Sequence, residues 1–539
     1  MNGAGGNSTR LLFDNDDDYD DGTPLCSIMF SITTLILVLV LFKVIYERWV
    51  TPLSQVPGQF INSISGLPMR YHMVRGTLPE ELLRLHKKYG PIVRVSPQRV
   101  SVSDLTMVKQ VLGSHAYAKS QSYEMPRGTE PNVFSTRSPE LSTERRKQLG
   151  PSFSHKHLHG MEPRVLECGV HNVQRKIDDM IARSGSSSIV VPYYTWFSLI
   201  ALDVIGALGF GQSFRALDTE AHELIPLLTR IRVFNYFALA FPWLKHIASL
   251  LGPRLTTLAK LKAFGQSAID SRRADPVPTV DLLQKMLDAG REDGSRRQVL
   301  SDDEMVSETI LHLVAGVDTT SAGMTWTLAL LLHNPHIHAR LVSDIRRHFP
   351  AGSTHVITYD ECRQKLPYLG AVISESLRVL SPAPSMLPRV VPAGGLRLGG
   401  YVLPAGSLVC PSIMPAHMNP AAFPDPTLFN PDRFMNEGAE KSNMLAFSTG
   451  VRACLGRNLA LLEMHVVLAN LLRSYDIQLP TDVAGNAVSI GSTTTVNFDD
   501  KCHSAGVVPN IPRKTQMAMT PANPDRDCRV LITRATSTV

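Results

Sequence analysis

The longest unbroken apolar run lies near the start: from Leu25 to Phe42 no charged residue interrupts the chain. At 1.5 Å per residue that run reaches about 27 Å, close to the hydrocarbon thickness of a bilayer, and Val44-Ile45-Tyr46 extends it. The pattern predicts a single-pass transmembrane anchor over residues 25–46. A cleaved signal peptide fits less well, because Asp14, Asp16, Asp17, Asp18, Asp20 and Asp21 precede the run and no small-residue cleavage site follows. Lys43 and Arg48 follow the span and only Arg10 precedes it, a slight positive-inside bias that puts the acidic segment 1–24 in the lumen and the rest in the cytosol. Asn7-Ser8-Thr9 is then a candidate glycosylation acceptor. Thr51-Pro52 and Val56-Pro57-Gly58 break the helix and predict a stiff elbow over residues 47–60.

Beyond the elbow the periodicity changes. Leu78 to Tyr89 reads as an amphipathic helix stopped by Gly90-Pro91. Ile92 to Val95 and Val100 to Val102 alternate like a two-stranded ribbon around Ser96-Pro97. Helical spacing dominates from about Pro139 to Val379, and short strands return from Leu396 to Val409. Gly206, Gly209 and Gly211 follow no strand and have the wrong order for a nucleotide loop, so they read as helix-packing positions. Residues 61–500 are expected to be one large body, mainly α with small β-sheets (α+β). The polar segment 501–539 carries several prolines and no apolar period, and is expected to be disordered.

Composition narrows the chemistry. The net charge of +6 over 539 residues is spread along the chain, and its clusters (Arg145-Arg146-Lys147, Arg296-Arg297) are short, which argues against nucleic-acid binding. A mildly basic surface suits an acidic redox partner or anionic lipid. The seven cysteines include no Cys-x-x-Cys pair, so neither a zinc site nor a disulfide framework is indicated, and a reducing compartment fits the body. No phosphate-cradling loop, nucleophile elbow or zinc-protease motif is present. Electrons for redox chemistry would therefore come from a partner.

One cysteine stands apart. Gly450 and Gly456 flank Cys454 and allow a tight backbone with positive φ, and apolar positions from Leu459 onward mark a helix starting just after it. Backbone N–H groups at a helix start favour a thiolate. Phe447, Gly450, Arg452, Cys454 and Gly456 spell Phe-x-x-Gly-x-Arg-x-Cys-x-Gly, which closely resembles the haem-ligand loop of the cytochrome P-450 family. Glu375-Ser376-Leu377-Arg378 resembles that family's Glu-x-x-Arg pair, which i,i+3 spacing sets on one helix face, and Arg433 in Phe429-Asn430-Pro431-Asp432-Arg433-Phe434 resembles its third partner. By that resemblance the three brace the haem loop. Ala315-Gly316-Val317-Asp318-Thr319-Thr320 lies in a long apolar helix from about Asp303 to Leu332 and resembles the family's acid–threonine pair, so Asp318 and Thr319 would deliver protons to oxygen. A local break in the helical ladder is expected there. Arg452, Arg389 after Leu387-Pro388, and Arg146 resemble the family's haem-propionate arginines; Ser142 stands where an aromatic is usual, which leaves Arg145 as an alternative to Arg146.

The resemblance covers about residues 50 to 500, and Tyr89 to Pro97 looks like membrane-bound fungal members in particular. It implies a single haem domain behind one N-terminal transmembrane helix, in the endoplasmic reticulum with the catalytic body cytosolic. It also implies haem b, dioxygen as co-substrate, and NADPH electrons through a separate NADPH-cytochrome P-450 reductase, with cytochrome b5 as a further candidate donor. Segments near Gly113 to Ser135, Val233 to Trp243, His312 to Gly316, Ser385 to Val391 and Ile490 to Thr493 are expected to line a pocket for an apolar substrate, a terpenoid or polyketide for example. Rival readings are a haem-thiolate isomerase or dehydratase that uses no dioxygen, a haem sensor or electron carrier, and a tethered scaffold without haem. Asp318-Thr319 argues against the first two, and the Cys454 loop against the third.

Overall fold

The computed structural model describes residues 23–124, 129–244, 256–274, 281–288, 300–436, 438–480 and 506–536. Asn7, the acidic residues 14–21 and the candidate pocket segment 490–493 lie outside the described residues.

The N-terminal run forms helix α1 (Thr23–Ile45). Its apolar side chains from Ile28 to Phe42 are exposed, and the helix is long and apolar enough to cross a membrane. A π turn (Tyr46–Val50) and a 3-10 turn (Pro52–Gln55) follow. Helix α2 (Leu78–Tyr89) and the hairpin β1 (Ile92–Ser96) and β2 (Arg99–Val102) come where the alternation placed them. Arg94 of β1 is buried and donates to the Glu47 carbonyl at 2.6 Å and to its carboxylate at 2.7 Å, which fastens the anchor's end to the sheet.

The centre is helix on helix. After α3 (Pro139–Leu149) and β3 (Ser188–Pro192), helix α4 (Tyr193–Phe210) is apolar along its length but mostly buried, so it is a core helix rather than a second span. Helix α5 (Leu224–Ala240) follows, and then the long α6 (Asp302–Leu332). A capping box between Ser301 and Glu304 starts α6, and Asp302, Asp303 and Glu304 suit the positive end of its dipole. The glycines here serve close packing: a Cβ on Gly206 would meet the Phe214 ring at 2.7 Å, and one on Gly316 would meet Ile205 of α4 at 3.3 Å.

Helix α6 is unbroken from 302 to 332, which corrects the expected break around Gly316 to Thr319. Ile205 fills the space that Gly316 leaves, and the Thr319 hydroxyl donates to the Ala315 carbonyl at 2.7 Å as an added bond.

Helix α7 (Pro367–Val379) leads to β4 (Arg389–Val390), β5 (Leu396–Leu398), β6 (Tyr401–Leu403) and β7 (Leu408–Pro411). One sheet has the order β1-β2-β7-β4, with β2 and β7 parallel; β5 and β6 form a separate hairpin. Helix α8 (Arg457–Ser474) and β8 (Tyr475–Gln478) follow the cysteine loop.

The segment 501–539, expected to be disordered, is ordered over its described residues. It holds β9 (Arg513–Gln516), β10 (Ala518–Pro521) and β11 (Arg529–Arg534). Strand β11 lies between β3 and β8, and Met519 accepts a hydrogen bond from the buried Trp326 indole at 2.9 Å. The body therefore extends past residue 500. The stabilising partners of β11 are remote in sequence, and a run as short as Val530-Leu531-Ile532 carries no local period.

Candidate haem-thiolate site

Among the cysteines whose side chains are described, Cys454 alone is exposed; Cys168, Cys362, Cys410 and Cys528 are buried and none is paired. Its loop is held tightly. The Cys454 N–H donates to the Phe447 carbonyl at 2.9 Å, and Gly450 sits at φ 71° with no room for a side chain, since a Cβ would lie 2.2 Å from the Leu112 carbonyl. Gly456 differs: its φ of −80° suits any residue, and a Cβ there would meet no protein atom within 4 Å. Protein packing does not account for that glycine, whereas a flat group lying against the loop does. Although its surface is open, Cys454 lies deep among protein atoms, and that desolvation pushes its thiol up, opposed by the N–H groups of Gly456 and Arg457 and by the Arg146 and Arg457 guanidinium groups. A sulfur so placed becomes a thiolate when a metal cation takes the place of its proton.

Cations gather beside the loop. Arg146 of α3 donates to the Ala453 carbonyl at 2.8 Å, Arg452 donates to the Thr136 and Ser138 carbonyls at 3.2 and 3.1 Å, and Arg389 donates to Pro388 at 3.1 Å. Arg145 turns the other way and ion-pairs with Glu304 of α6, so of the two neighbouring arginines Arg146 is the one at the loop. Lys119 joins them, a residue the sequence did not reveal, since no local pattern distinguishes a buried lysine from a surface one. It is 5% exposed, donates to the Phe134 carbonyl and lies over the Phe134 and Tyr123 rings. Burial, then Arg389, Arg452 and Arg146, push its ammonium far below the usual lysine range, and burial with Arg389 and Arg146 pushes Arg452 down to about 10. Four partly desolvated cations crowded together form a site for a group with two carboxylates. The loop and this cluster together fit haem.

Glu375 and Arg378 meet on α7 and are almost wholly buried. Arg378 donates to both Glu375 oxygens at 2.6 and 2.7 Å, and Arg433 reaches Glu375 at 3.0 Å. Arg378 also binds the carbonyls of His417, Pro426 and Leu428. His417, another residue the sequence did not reveal, carries this brace toward the loop: its Nε2 accepts from the Leu445 N–H at 2.9 Å, so Nδ1 bears the proton and donates to the Arg378 carbonyl at 3.1 Å.

Asp318 and Thr319 lie on α6 facing different neighbours. Asp318 is 8% exposed, with Arg232 of α5 at 3.5 Å, and its Oδ2 has no partner. Burial pushes its carboxyl up and Arg232 opposes that shift. Thr319 is half-buried and Ala315, one turn earlier, is exposed.

A cytochrome P450 family model matches residues 58–494. The cytochrome P450 monooxygenase helB3 of Aspergillus fumigatus is 32% identical over 520 residues, covering 94% of this chain and 98% of its own. The helB1 monooxygenase of the same fungus is 30% identical over 502 residues, covering 92% of this chain and 84% of its own. The cytochrome P450 monooxygenase traB of Penicillium crustosum is 30% identical over 482 residues, covering 84% and 92%. The crystal structure of a cytochrome P450DA heme domain shares the fold, with TM-score 0.70 at 20% identity over 89% of this chain and 98% of that one.

Proposed function

This chain belongs to the cytochrome P450 family of monooxygenases, and we propose that it inserts one atom of dioxygen into an apolar small molecule, a fungal secondary metabolite such as a terpenoid or polyketide. Electrons come from NADPH through a separate reductase, with cytochrome b5 as a second donor. The observation that carries this reading is the Cys454 loop with its four gathered cations.

Haem b bound there supplies dioxygen binding and reductive O–O cleavage, favoured by a thiolate ligand. The chain's own residues do the rest. Cys454 ligates the iron while the Gly456 and Arg457 N–H groups stabilise its negative charge. Lys119, Arg146, Arg389 and Arg452 hold the two propionates. Asp318, poised by burial and steadied by Arg232, passes protons to Thr319, whose hydroxyl presents them to oxygen. Half-buried Met386 and Leu387 support an apolar substrate, whereas Leu313 is enclosed in the core. Helix α1 anchors the enzyme in the endoplasmic reticulum membrane with Lys43 and Arg48 on the cytosolic side. The proton-delivery pair disfavours an isomerase or dehydratase, which consumes no dioxygen.

The test is the carbon monoxide complex of the reduced protein: a Soret band with the thiolate red shift is expected, and its absence sinks the reading. Thr319→Ala should keep that band yet divert electrons from product to hydrogen peroxide, with loss of product per NADPH of about a hundredfold, the low end for a positioned proton donor. Unchanged peroxide release would count against the role given to Thr319.

A further inference from the structure

A cleft of about 490 Å³ lies apart from the haem site, and its lining shares no residue with the cysteine loop or the propionate cations. Three successive elements enclose it: the helix Pro335–His348, the end of the helix Tyr359–Lys365, and the start of α7. Met435 closes one side. Arg340, Asp344, Arg347 and His348 follow one another at helical spacing, so they share the face of the first helix that is turned to the cleft. Ile337, Leu341 and Ile345 of the same helix are buried in the core and fix it in place.

The floor of the cleft is fixed and its mouth is loose. Tyr368 is buried, and the Arg340 guanidinium lies 3.8 Å over its ring, a stack that holds one cation in position. Arg347 and Lys365 stand at the mouth on two different helices, both exposed. The lining thus sets three permanent cations against the single carboxylate of Asp344. Each cation has a carboxylate neighbour: Asp432 lies 2.9 Å from Arg340, Asp344 3.1 Å from Arg347 and Glu361 3.3 Å from Lys365. The cations of these pairs are largely exposed, and such pairs hold weakly. Releasing Lys365 strands no charge, because Glu361 keeps the His355 ring at 2.7 Å and the Thr358 N–H at 3.1 Å.

We propose that this cleft binds a phosphate monoester carried on a soluble metabolite. The phosphate meets the fixed Arg340 guanidinium at the floor and draws Arg347 and Lys365 in from the mouth. A guanidinium fork matches phosphate oxygens two at a time. A phosphate monoester carries close to two negative charges at neutral pH, which answers the excess of cations in the lining as a single carboxylate does not. The cleft is larger than a phosphate and falls in the size range of small-molecule sites, so it takes the body of the metabolite as well. The exposed Gln364 amide in the lining offers that body a donor and an acceptor.

The cleft adjoins the brace of the haem loop. Asp432, which Arg340 binds, precedes Arg433, and Tyr368 lies in the first turn of the helix that carries Glu375 and Arg378. A ligand that binds only the folded chain stabilises it by mass action, so occupancy raises the melting temperature and slows haem loss. No bond is made or broken, and the site does not depend on the monooxygenase reading.

The test is titration calorimetry and melting of the full-length holoenzyme in phosphatidylcholine vesicles, with inorganic phosphate, adenosine monophosphate and adenosine as probes. Both phosphates should bind and compete for one site, adenosine should not bind, and the melting temperature should rise by a few degrees at saturation. Arg340→Ala, which removes the fixed fork, should weaken binding about tenfold, and the double variant Arg347→Ala, Lys365→Ala should weaken it about as much. Arg183→Ala removes an exposed cation from another helix and should leave binding unchanged. Without ligand, all of these variants should keep the haem content and, to within a few degrees, the melting temperature of the wild type. The proposal is overturned if neither phosphate binds, if adenosine binds as well as its monophosphate, or if Arg183→Ala weakens binding as much as Arg340→Ala. Stabilisation by vesicles containing phosphatidic acid, with none by the two soluble phosphates, would put the phosphate on a lipid and overturn the soluble ligand.

Discussion

Glu375→Gln is expected to destabilise the protein by about 3–5 kcal/mol and to release its haem, because it leaves two buried guanidinium groups without their counter-charge. The change is nearly isosteric, so it removes charge and hydrogen bonding while creating almost no cavity. Glu375 accepts four hydrogen bonds: two from Arg378, one from Arg433 at 3.0 Å and one from the Asn430 N–H at 2.8 Å. The two arginines in turn gather carbonyls of the irregular segment before the cysteine loop: His417, Pro426 and Leu428 for Arg378, and Pro424 for Arg433. Unpairing them frees that segment and, through His417 and Leu445, the loop itself. An exposed pair gives the contrast. Arg340 and Asp432 lie 2.9 Å apart with side chains 49% and 33% exposed, and Arg340→Ala should cost no more than about 1 kcal/mol. Chemical denaturation and haem retained per protein measure both. If Glu375→Gln does not fold, Arg433→Ala at the edge of the brace gives a milder loss in the same direction. A brace variant no weaker than Arg340→Ala would show that the network has no such role.

The parts of the site legible in the sequence are those whose partners are local or whose order along the chain is distinctive. Glu375 and Arg378 share one helix face, and five residues within ten mark the Cys454 loop, so residue order alone identifies both. Lys119 and His417 leave no such mark. Their importance comes from burial among residues brought in from elsewhere, and no spacing encodes that. The same holds for Arg232 beside Asp318, since α5 and α6 meet only in the folded chain. The mistaken readings have the same origin. Gly316 suggested a helix break but is small to admit Ile205, and the tail looked disordered because β11 draws its order from β3 and β8.

In the haem-bound protein, where the propionates would keep Lys119 charged, stability is expected to peak near pH 6.5 and to fall on both sides, a consequence of titratable groups buried in their neutral forms. Burial lowers His86, His312 and His465 to about 4 and, with Arg378 adding to the effect, His417 to about 3. Burial lifts Glu463, and Glu308 with it, to about 8. Between pH 8 and 6.5 the two glutamates hold more protons in the folded chain than the four histidines yet hold in the unfolded one, so stability rises as pH falls. Below 6.5 the unfolded chain protonates all four histidines, which outnumber the two glutamates, so stability falls again. Each group contributes at most about 1.4 kcal/mol per pH unit, which gives on the order of 3 kcal/mol per unit on the acid limb and about half that on the alkaline one, where unfolded histidines begin to protonate. The histidines have reasons to stay neutral: His86 is held between Gly90 and Ser101, and His417 needs an unprotonated Nε2 to accept from Leu445. Melting temperature against pH reads the curve directly. Glu463→Gln should halve the alkaline limb and steepen the acid one, because it removes a proton that only the folded chain holds between pH 4.5 and 8. A melting temperature that climbs steadily from pH 5 to 8 in the wild type would mean that the buried glutamates are ionised in the folded protein.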